Sequence, residues 1–243
     1  MTTAIIQARL GSTRLPGKVL RTLNGKPLLL HIVNRLKLCK QIDSIVLATT
    51  ANPIDDTLAE WCKENNISCF RGDENNVLKR YYDAATKYMA DIIVRITADD
   101  PFKDPKVIDS VIALLKEKSL DFAFNNYPPS FPEGLDTEVF TYKAIKQAFE
   151  TETTDFEKEH VTQYFYHNPS KFKLGNYAYP RDISYLRLTV DTEQDFALAE
   201  KIYQKLSPHG EMFYLDDILS LFDKESELQN INKGVKRSAL YEK

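Results

Sequence analysis

Little in this chain points to secretion, thiolate metal chemistry or a membrane. Only three cysteines occur in 243 residues, Cys39, Cys62 and Cys69, and no two form a C-x-x-C pair. An odd, unpaired set reads as free thiols in a reducing compartment, and no histidine stands beside them to suggest zinc. The N-terminus lacks the apolar core of a signal peptide, and no apolar run approaches membrane-spanning length. The expectation is a cytoplasmic protein with no membrane partner. A strong positive charge is missing too: 32 Lys and Arg stand against 35 Asp and Glu, a net charge of −3, which argues against a nucleic-acid partner. Two phosphate-binding fingerprints are also absent. There is no G-x-G-x-x-G, which argues against a nicotinamide-dependent enzyme. There is no P-loop either, because five residues separate Gly11 from Gly17, Pro16 interrupts, and Val19 rather than Ser or Thr follows Lys18.

What is present is an ordinary globular composition, 43% hydrophobic and 28% charged, with thirteen Tyr and thirteen Phe to fill a core. The length suits one large or two small domains. The most informative stretch is Gln7-Ala8-Arg9-Leu10-Gly11-Ser12-Thr13-Arg14-Leu15-Pro16-Gly17-Lys18, directly after the apolar Ala4-Ile5-Ile6. Glycines let backbone N–H groups turn toward an anion, an arginine holds phosphate bidentately, and a lysine supplies a point charge. The loop is a candidate triphosphate cradle; the competing reading is a basic surface turn.

Downstream, strand-like and helix-like patterns alternate. Apolar runs at 45–48, 67–70, 92–96 and 121–124 read as strands, and helical spacing recurs at 27–36, 54–65, 77–89 and 107–116. The alternation predicts an α/β fold, a mostly parallel central sheet with helices on both faces. Such a sheet binds ligands beyond the carboxyl ends of its strands, where Arg9, Thr50, Asp99 and Asp100 all fall. The second half is less regular. Residues 125–134 read as a loop, 137–140 as a strand, 142–149 and 155–167 as helices, 186–190 as a strand ending at Asp191, and the segment to 203 as a capped helix. A charged tail from residue 223 reads as a docked arm or a partly mobile one.

Two acidic strand ends carry the chemistry. In Ile96-Thr97-Ala98-Asp99-Asp100-Pro101, hard oxygen ligands suit Mg²⁺ held against phosphates. The alternative is a helix cap, but Asp104 fills that role better with Pro105 behind it. The second is Leu188-Thr189-Val190-Asp191, for which a plain helix cap is an equal reading. Together Asp99 and Asp191 are the candidate metal ligands. His31, His167 and His209 have no evident partner in the sequence and read as structural.

These motifs resemble, in order along one chain, those of the cytidylyltransferases that make CMP-activated sugar acids: the CMP-Kdo and CMP-sialate synthetases and their spore-coat polysaccharide relatives. The 7–18 run is similar to their signature loop, Asn24-Gly25-Lys26-Pro27-Leu28 to the entry of their first helix, Ala98-Asp99-Asp100-Pro101 to their metal loop, and Val190-Asp191-Thr192-x-x-Asp195 to their distal acidic segment. Gly134-Leu135-Asp136-x-Glu138-Val139-Phe140 and Glu159-His160-Val161-Thr162 have counterparts there too.

The resemblance implies a Rossmann-like nucleotide-diphospho-sugar transferase fold, a single nucleotidyltransferase domain over 1–243. Residues near 125–185 would form a substrate and dimer subregion, and 223–243 a tail. It implies a homodimer that transfers CMP from CTP to an acidic sugar or a related acceptor (a nonulosonic acid, an octulosonate, or a sugar or polyol phosphate) with release of pyrophosphate, using Mg²⁺, in surface polysaccharide or glycoconjugate biosynthesis. Gln7, Ala8, Arg9, Gly11, Ser12, Thr13, Arg14 and Lys18 would take the nucleotide, with Arg14, Lys18, Asp99 and Asp191 catalytic. Asp100, Asp136, Glu138, Glu159 and His160 would lie toward the acceptor. The segment from Arg71 to Arg80 departs from the Kdo enzymes and is closer to the spore-coat subgroup. Asn75 or Asn76 would there serve the base, while Arg80 reads either as a ligand contact or as a solvated helix face. The rival readings are a sugar-1-phosphate uridylyl- or guanylyltransferase and a non-catalytic nucleotide-sugar binder.

Overall fold

The computed structural model describes residues 1–12, 14–151, 153–239 and 241; Thr13, one of the candidate nucleotide contacts, lies outside them. The centre of the molecule is β1 (Thr2–Gln7), flanked by β4 (Ser44–Thr50) and β6 (Ile92–Thr97), with β5 (Ser68–Gly72) beyond β4. These four strands run parallel. Residues 2–6 of β1 are all buried, as expected of a strand covered on both faces. Its side chains alternate: Ala4 and Ile6 join one apolar cluster and Ile5 the other.

Helices supply the two covers. Against the first cluster pack α1 (Leu28–Leu36), α2 (Asp56–Glu64), α4 (Pro105–Glu117), α8 (Glu193–Leu206) and α9 (Leu215–Lys224). Against the second pack α3 (Val77–Lys87), α5 (Tyr142–Glu150) and the short α7 (Gln163–His167). The apolar face of α3, Leu78, Tyr81, Ala84 and Ala85, shows how a helix is fixed here. Each fully buried large side chain contributes about 1.5–3 kcal/mol, and the Tyr81 hydroxyl is not orphaned, because it donates to the carbonyls of Ile5 and Ile96. Asp104 caps α4 by accepting the Lys106 N–H, with Pro105 in the first turn, and its other oxygen takes the N–H of Leu215 at the start of α9.

The sheet continues past β6 with β8 (Glu138–Thr141), β7 (Phe122–Phe124) and β9 (Leu174–Asn176), giving the order β5-β4-β1-β6-β8-β7-β9. Only β8 runs against its neighbours. The expected α/β class with a mostly parallel sheet is therefore what the chain adopts.

Several local expectations are corrected. Residues 155–167 form two short helices, α6 (Asp155–Glu159) and α7, not one. The chain turns between them at Val161, which has φ of 39° and is fully buried; the turn lets the Thr162 hydroxyl reach Glu138 at 2.9 Å. Residues 186–190 do not form a strand; Arg187 makes only an isolated bridge with Glu133. Their backbone is partnered by a loop, through Glu133 with Leu186 and Leu188, and by the Asp99 carbonyl, which accepts the Val190 N–H at 2.8 Å. Between the signature loop and α1 lies an unexpected hairpin, β2 (Thr22–Leu23) and β3 (Lys26–Pro27). Asn24 and Gly25 both have positive φ, 46° and 78°, the requirement of a two-residue type I′ turn. Residue 223 falls inside α9, and the chain beyond it is docked: the Asn232 amide donates to the Arg187 carbonyl and to Asp195.

Candidate active site

Three segments meet at the carboxyl edge of the sheet. The loop after β1 is held by its own backbone and by one carboxylate. The Leu10 carbonyl accepts the N–H groups of Ser12 and Gly17, and the Leu10 N–H donates to Asp55 at 2.7 Å. Asp55, buried at the end of a 3₁₀ turn (Pro53–Asp55), also receives the Thr50 hydroxyl. Thr50 thus serves the loop through Asp55. Gly17, with φ of 67°, turns the chain into a second 3₁₀ turn (Lys18–Leu20) that buries Lys18 and Val19.

That turn aims Lys18 inward. Its ammonium donates to Asp99 Oδ2 at 2.9 Å, Asp191 Oδ1 at 2.7 Å and the Val190 carbonyl at 2.9 Å. An ammonium has three donors, and all three are used. Burial opposes the charge on Lys18, but the Asp99 and Asp191 carboxylates overcome it and hold its pKa above the usual lysine value. Burial likewise works against ionised Asp99, and the Lys18 ammonium overcomes it, leaving that carboxyl below the ordinary range. The second oxygen of Asp191 is shared by Arg14 at 3.0 Å and Arg187 at 3.1 Å. Arg187 is buried and also grips Glu133 and Asp195. Asp195 completes a capping box with Thr192 at the start of α8. Asp191 is therefore placed by both its neighbour's helix and a buried guanidinium, while the cap itself belongs to Thr192.

The Asp99–Asp191 pair faces a cavity of about 260 Å³ lined also by Gln7, Ala8, Arg9, Ser12 and Arg14. Asp99 retains 28% of its side-chain exposure there. The two carboxylates already converge on one cation, the Lys18 ammonium, so the donor set fits a divalent ion. Among the described residues no group of three or more His, Cys, Asp or Glu could hold a metal; the protein would supply two oxygen ligands and leave the others to phosphate or water.

Gln7 and Arg9 also wall a neighbouring cavity of about 570 Å³, lined by Asn75, Asn76, Arg80, Lys158 and Glu159 among others. Arg80 is 1% exposed, so the solvated-face reading is corrected. Its guanidinium donates to the Asp73 and Glu74 carbonyls, but its Nε has no partner. Asn76 caps α3 with its side chain, which leaves Asn75 the freer of the two amides. The Oε1 of Gln7 is likewise buried without a partner.

The remaining acceptor candidates are dispersed. Asp100 is buried against Lys103 at 2.9 Å and receives the Thr97 hydroxyl; burial, and then the charge of Asp99, raise its pKa despite the Lys103 ammonium. Asp136 accepts the Tyr241 hydroxyl, and burial pushes its carboxyl up to about 7. Glu138 pairs with Arg95 at 2.6 Å across the β6–β8 ladder and accepts from Thr162 and Tyr166. His160 is exposed and packs on Phe156. None of these four lines either cavity, whereas Glu159 does. Gly11 is exposed in the loop and lines neither. Sequence reading missed Asp55 and Arg187, which hold the loop and Asp191. Asp55 announces itself only as an acid just after a strand and a proline; Arg187 carries no signal beyond its spacing of four and eight from Asp191 and Asp195.

The chain matches the cytidylyltransferase family over residues 3–235. It is 36% identical over 242 residues to an uncharacterized protein of Methanocaldococcus jannaschii, covering 98% of this chain and 97% of that protein. It is 33% identical over 208 residues to the spore coat polysaccharide biosynthesis protein SpsF of Bacillus subtilis, covering 83% and 85%. Among solved structures, a cytidylyltransferase from Leptospira borgpetersenii aligns with a TM-score of 0.88 at 35% identity, over 94% of this chain and 96% of that one. A CMP:2-keto-3-deoxy-manno-octonic acid synthetase complexed with CTP shares the fold with a TM-score of 0.64 at 16% identity, over 84% and 99%. With the family matched across nearly its whole length, this chain belongs to the cytidylyltransferases.

Proposed function

We propose that the protein transfers CMP from CTP to an acidic sugar or a related acceptor, in the making of a surface polysaccharide or glycoconjugate. The observation that carries this reading is the Asp99–Lys18–Asp191 cluster facing a loop that presents Arg9 and Arg14. An acceptor oxygen would attack the α-phosphorus. The new phosphorus–oxygen bond forms as the bond to the β-phosphate breaks, pyrophosphate leaves, and the acceptor's proton passes to water.

Arg9 and Arg14 are both exposed in the loop and are the groups available to the triphosphate. Lys18 acts one layer behind them, holding Asp99 and Asp191 at a fixed separation. The orphaned Nε of Arg80 and the amide of Asn75 suit the adjoining cavity to the rest of the nucleotide. A divalent cation such as Mg²⁺, bound to Asp99 and Asp191, would screen the phosphate charge during the displacement. The catalytic contribution of the chain is thus positioning and charge neutralisation.

The test is pyrophosphate release with CTP, UTP, GTP or ATP against a panel of octulosonates, nonulosonates and sugar or polyol phosphates, with Mg²⁺, with Mn²⁺ and with chelator. Turnover should require CTP, an acidic acceptor and a divalent ion. Equal rates with all four nucleotides, or turnover with GTP alone, would refute the reading.

A further inference from the structure

A cavity of about 550 Å³ lies between the β2–β3 hairpin, one face of α1, Tyr203 of α8 and the loop 207–213. It shares no lining residue with the two cavities of the candidate active site. Its charged and titratable lining is Lys26, His31, Arg35 and His209 against a single carboxylate, Glu211.

Arg35 is the unusual member. It is 2% exposed, and its guanidinium donates to the Lys103 carbonyl at 3.3 Å, the Phe213 carbonyl at 3.0 Å and the Tyr203 hydroxyl at 3.4 Å, with the Phe213 ring 4.6 Å away. Carbonyl dipoles and ring faces orient a guanidinium but do not neutralise it. Of the buried cations among the described residues, Lys18, Lys103 and Arg187 each sit on carboxylates. Arg80 and Arg35 make no ion pair among those residues. Arg80 lines the proposed nucleotide cavity together with Asp73, Glu74, Asp155 and Glu159; Arg35 lines this one, where Glu211 is the single carboxylate. A buried charge without a counter-charge is costly to keep.

Glu211 does not fill the role. It is exposed on the rim and accepts the backbone N–H of its neighbour His209 at 2.9 Å. His31 adds no charge but fits the same field: its Nε2 must donate to the Leu23 carbonyl at 2.7 Å, and burial followed by the Arg35 and Lys26 charges lowers its pKa, so it is neutral at pH 7.

We propose that this cavity is a binding site for a small phosphate-bearing anion, with Arg35 at its base and Lys26 at its mouth, separate from the catalytic crevice. Arginine pairs with such an oxyanion bidentately and lysine adds a point charge. Arg35 and Tyr203 also hold the carbonyls of Lys103 and Pro101, so the anion would sit one hydrogen bond from the backbone that follows Asp99 and Asp100.

The experiment is a thermal-shift titration of the full chain, without nucleotide, with inorganic phosphate and separately with glycerol 3-phosphate, chloride serving as the ionic-strength control. A saturable rise in Tm is expected from at least one phosphate and not from chloride. Which of the two saturates at lower concentration tells free phosphate from an organic phosphate. Lys26→Glu, on an exposed hairpin where folding is not at stake, should raise the half-saturating concentration at least tenfold. Arg14→Ala should leave it unchanged. A chloride-like response, an unaffected Lys26→Glu protein, or loss of the response in Arg14→Ala would each overturn the proposal. The last would place the anion in the catalytic crevice, and none of the three depends on turnover.

Discussion

Replacing Lys18 with Met tests whether the buried ammonium holds the two carboxylates. The substitution keeps most of the stem and removes three hydrogen bonds, two of them to carboxylates. Taken one at a time, bonds of this kind are worth about 1.5–3 kcal/mol each, but they do not add here. Asp191 keeps Arg14 and Arg187, Asp99 is partly open to water, and the desolvation cost of the ammonium disappears with it. The loss should be roughly 2–4 kcal/mol, at or below the range for breaking a buried pair. At about 2–4 °C per kcal/mol for a chain of this size, Tm should fall by roughly 5–15 °C in chelator.

The same variant separates a structural lysine from one that reserves a cation site. Without the ammonium, two carboxylates face each other with Asp99 unpaired, so millimolar Mg²⁺ should stabilise Lys18→Met more than wild type. A ligand at a hundred times its Kd restores about 2.7 kcal/mol. The sign with pH is also fixed. Lys18 has a raised folded pKa, so its contribution is complete below the unfolded lysine value near 10.4 and is lost only as pH climbs through the folded value. Asp99 has a lowered folded pKa, so its contribution is present above the unfolded value near 3.9 and is lost as pH falls through the folded one. The Tm gap between wild type and variant should therefore be flat from about pH 6 to 9 and narrow on both sides, in acid as Asp99 is protonated and in strong base as Lys18 loses its proton. Scanning calorimetry in chelator and in Mg²⁺ measures all of this. A variant as stable as wild type in chelator, or equal Mg²⁺ shifts in both proteins, would refute the cluster as read.

Among the candidate acids, Asp99→Asn and Asp191→Asn should each cut turnover by a hundredfold or more, as loss of an oriented electrostatic group does, whereas Asp100→Asn should cost less because Asp100 faces Lys103; steady-state pyrophosphate release with CTP gives the order. Asp55→Ala frees the Leu10 N–H and the Thr50 hydroxyl, and should cost about 1–3 kcal/mol in denaturant unfolding and weaken CTP binding with it. Arg80→Met should weaken CTP binding about tenfold by calorimetric titration while changing stability little, since a buried cation without a carboxylate partner stabilises little by itself. Asp136 has a folded pKa of about 7, above its unfolded value, so it favours the fold in acid and costs stability as pH rises toward 7; Asp136→Asn should gain stability relative to wild type at pH 8 and show little gain at pH 4, read as Tm.

Much of the fold was legible because its signals are local. The buried runs of β1, β4 and β6 and the Asp104-Pro105 start of α4 each declare themselves within a few residues, as does a cap at Asp191 or Thr192 before α8, which the structure assigns to Thr192. The Asn24-Gly25 hairpin was equally local, but two-residue strands leave too little alternation for a run-based reading to register. The reversal of β8 was not local at all. It depends on which edge of β6 is free, and the Glu138–Arg95 pair that fixes its register joins residues 43 apart. The 186–190 segment shows the opposite failure: an alternating stretch with strand composition lacks a strand beside it and is satisfied by a loop and by one carbonyl of the Asp99 turn.

The site divides the same way. Residue types at the strand ends marked Asp99, Asp191 and the loop cations as chemistry, yet the arrangement among them came from burial. In sequence, Arg9, Arg14 and Lys18 are three equivalent cations on a glycine-bearing loop. In the fold they differ because a left-handed Gly17 and a one-turn 3₁₀ segment put Val19 into the core and carry Lys18 in with it. An ammonium so placed has to find acceptors, and the ones within reach lie 81 and 173 residues away in sequence. Arg9 and Arg14 remain exposed, Arg14 with its guanidinium on Asp191 Oδ2 at 3.0 Å. Loop composition therefore marks a candidate cradle for anions, but the division between the two exposed cations and the one that joins the carboxylate pair is decided by which residue of the turn the core admits.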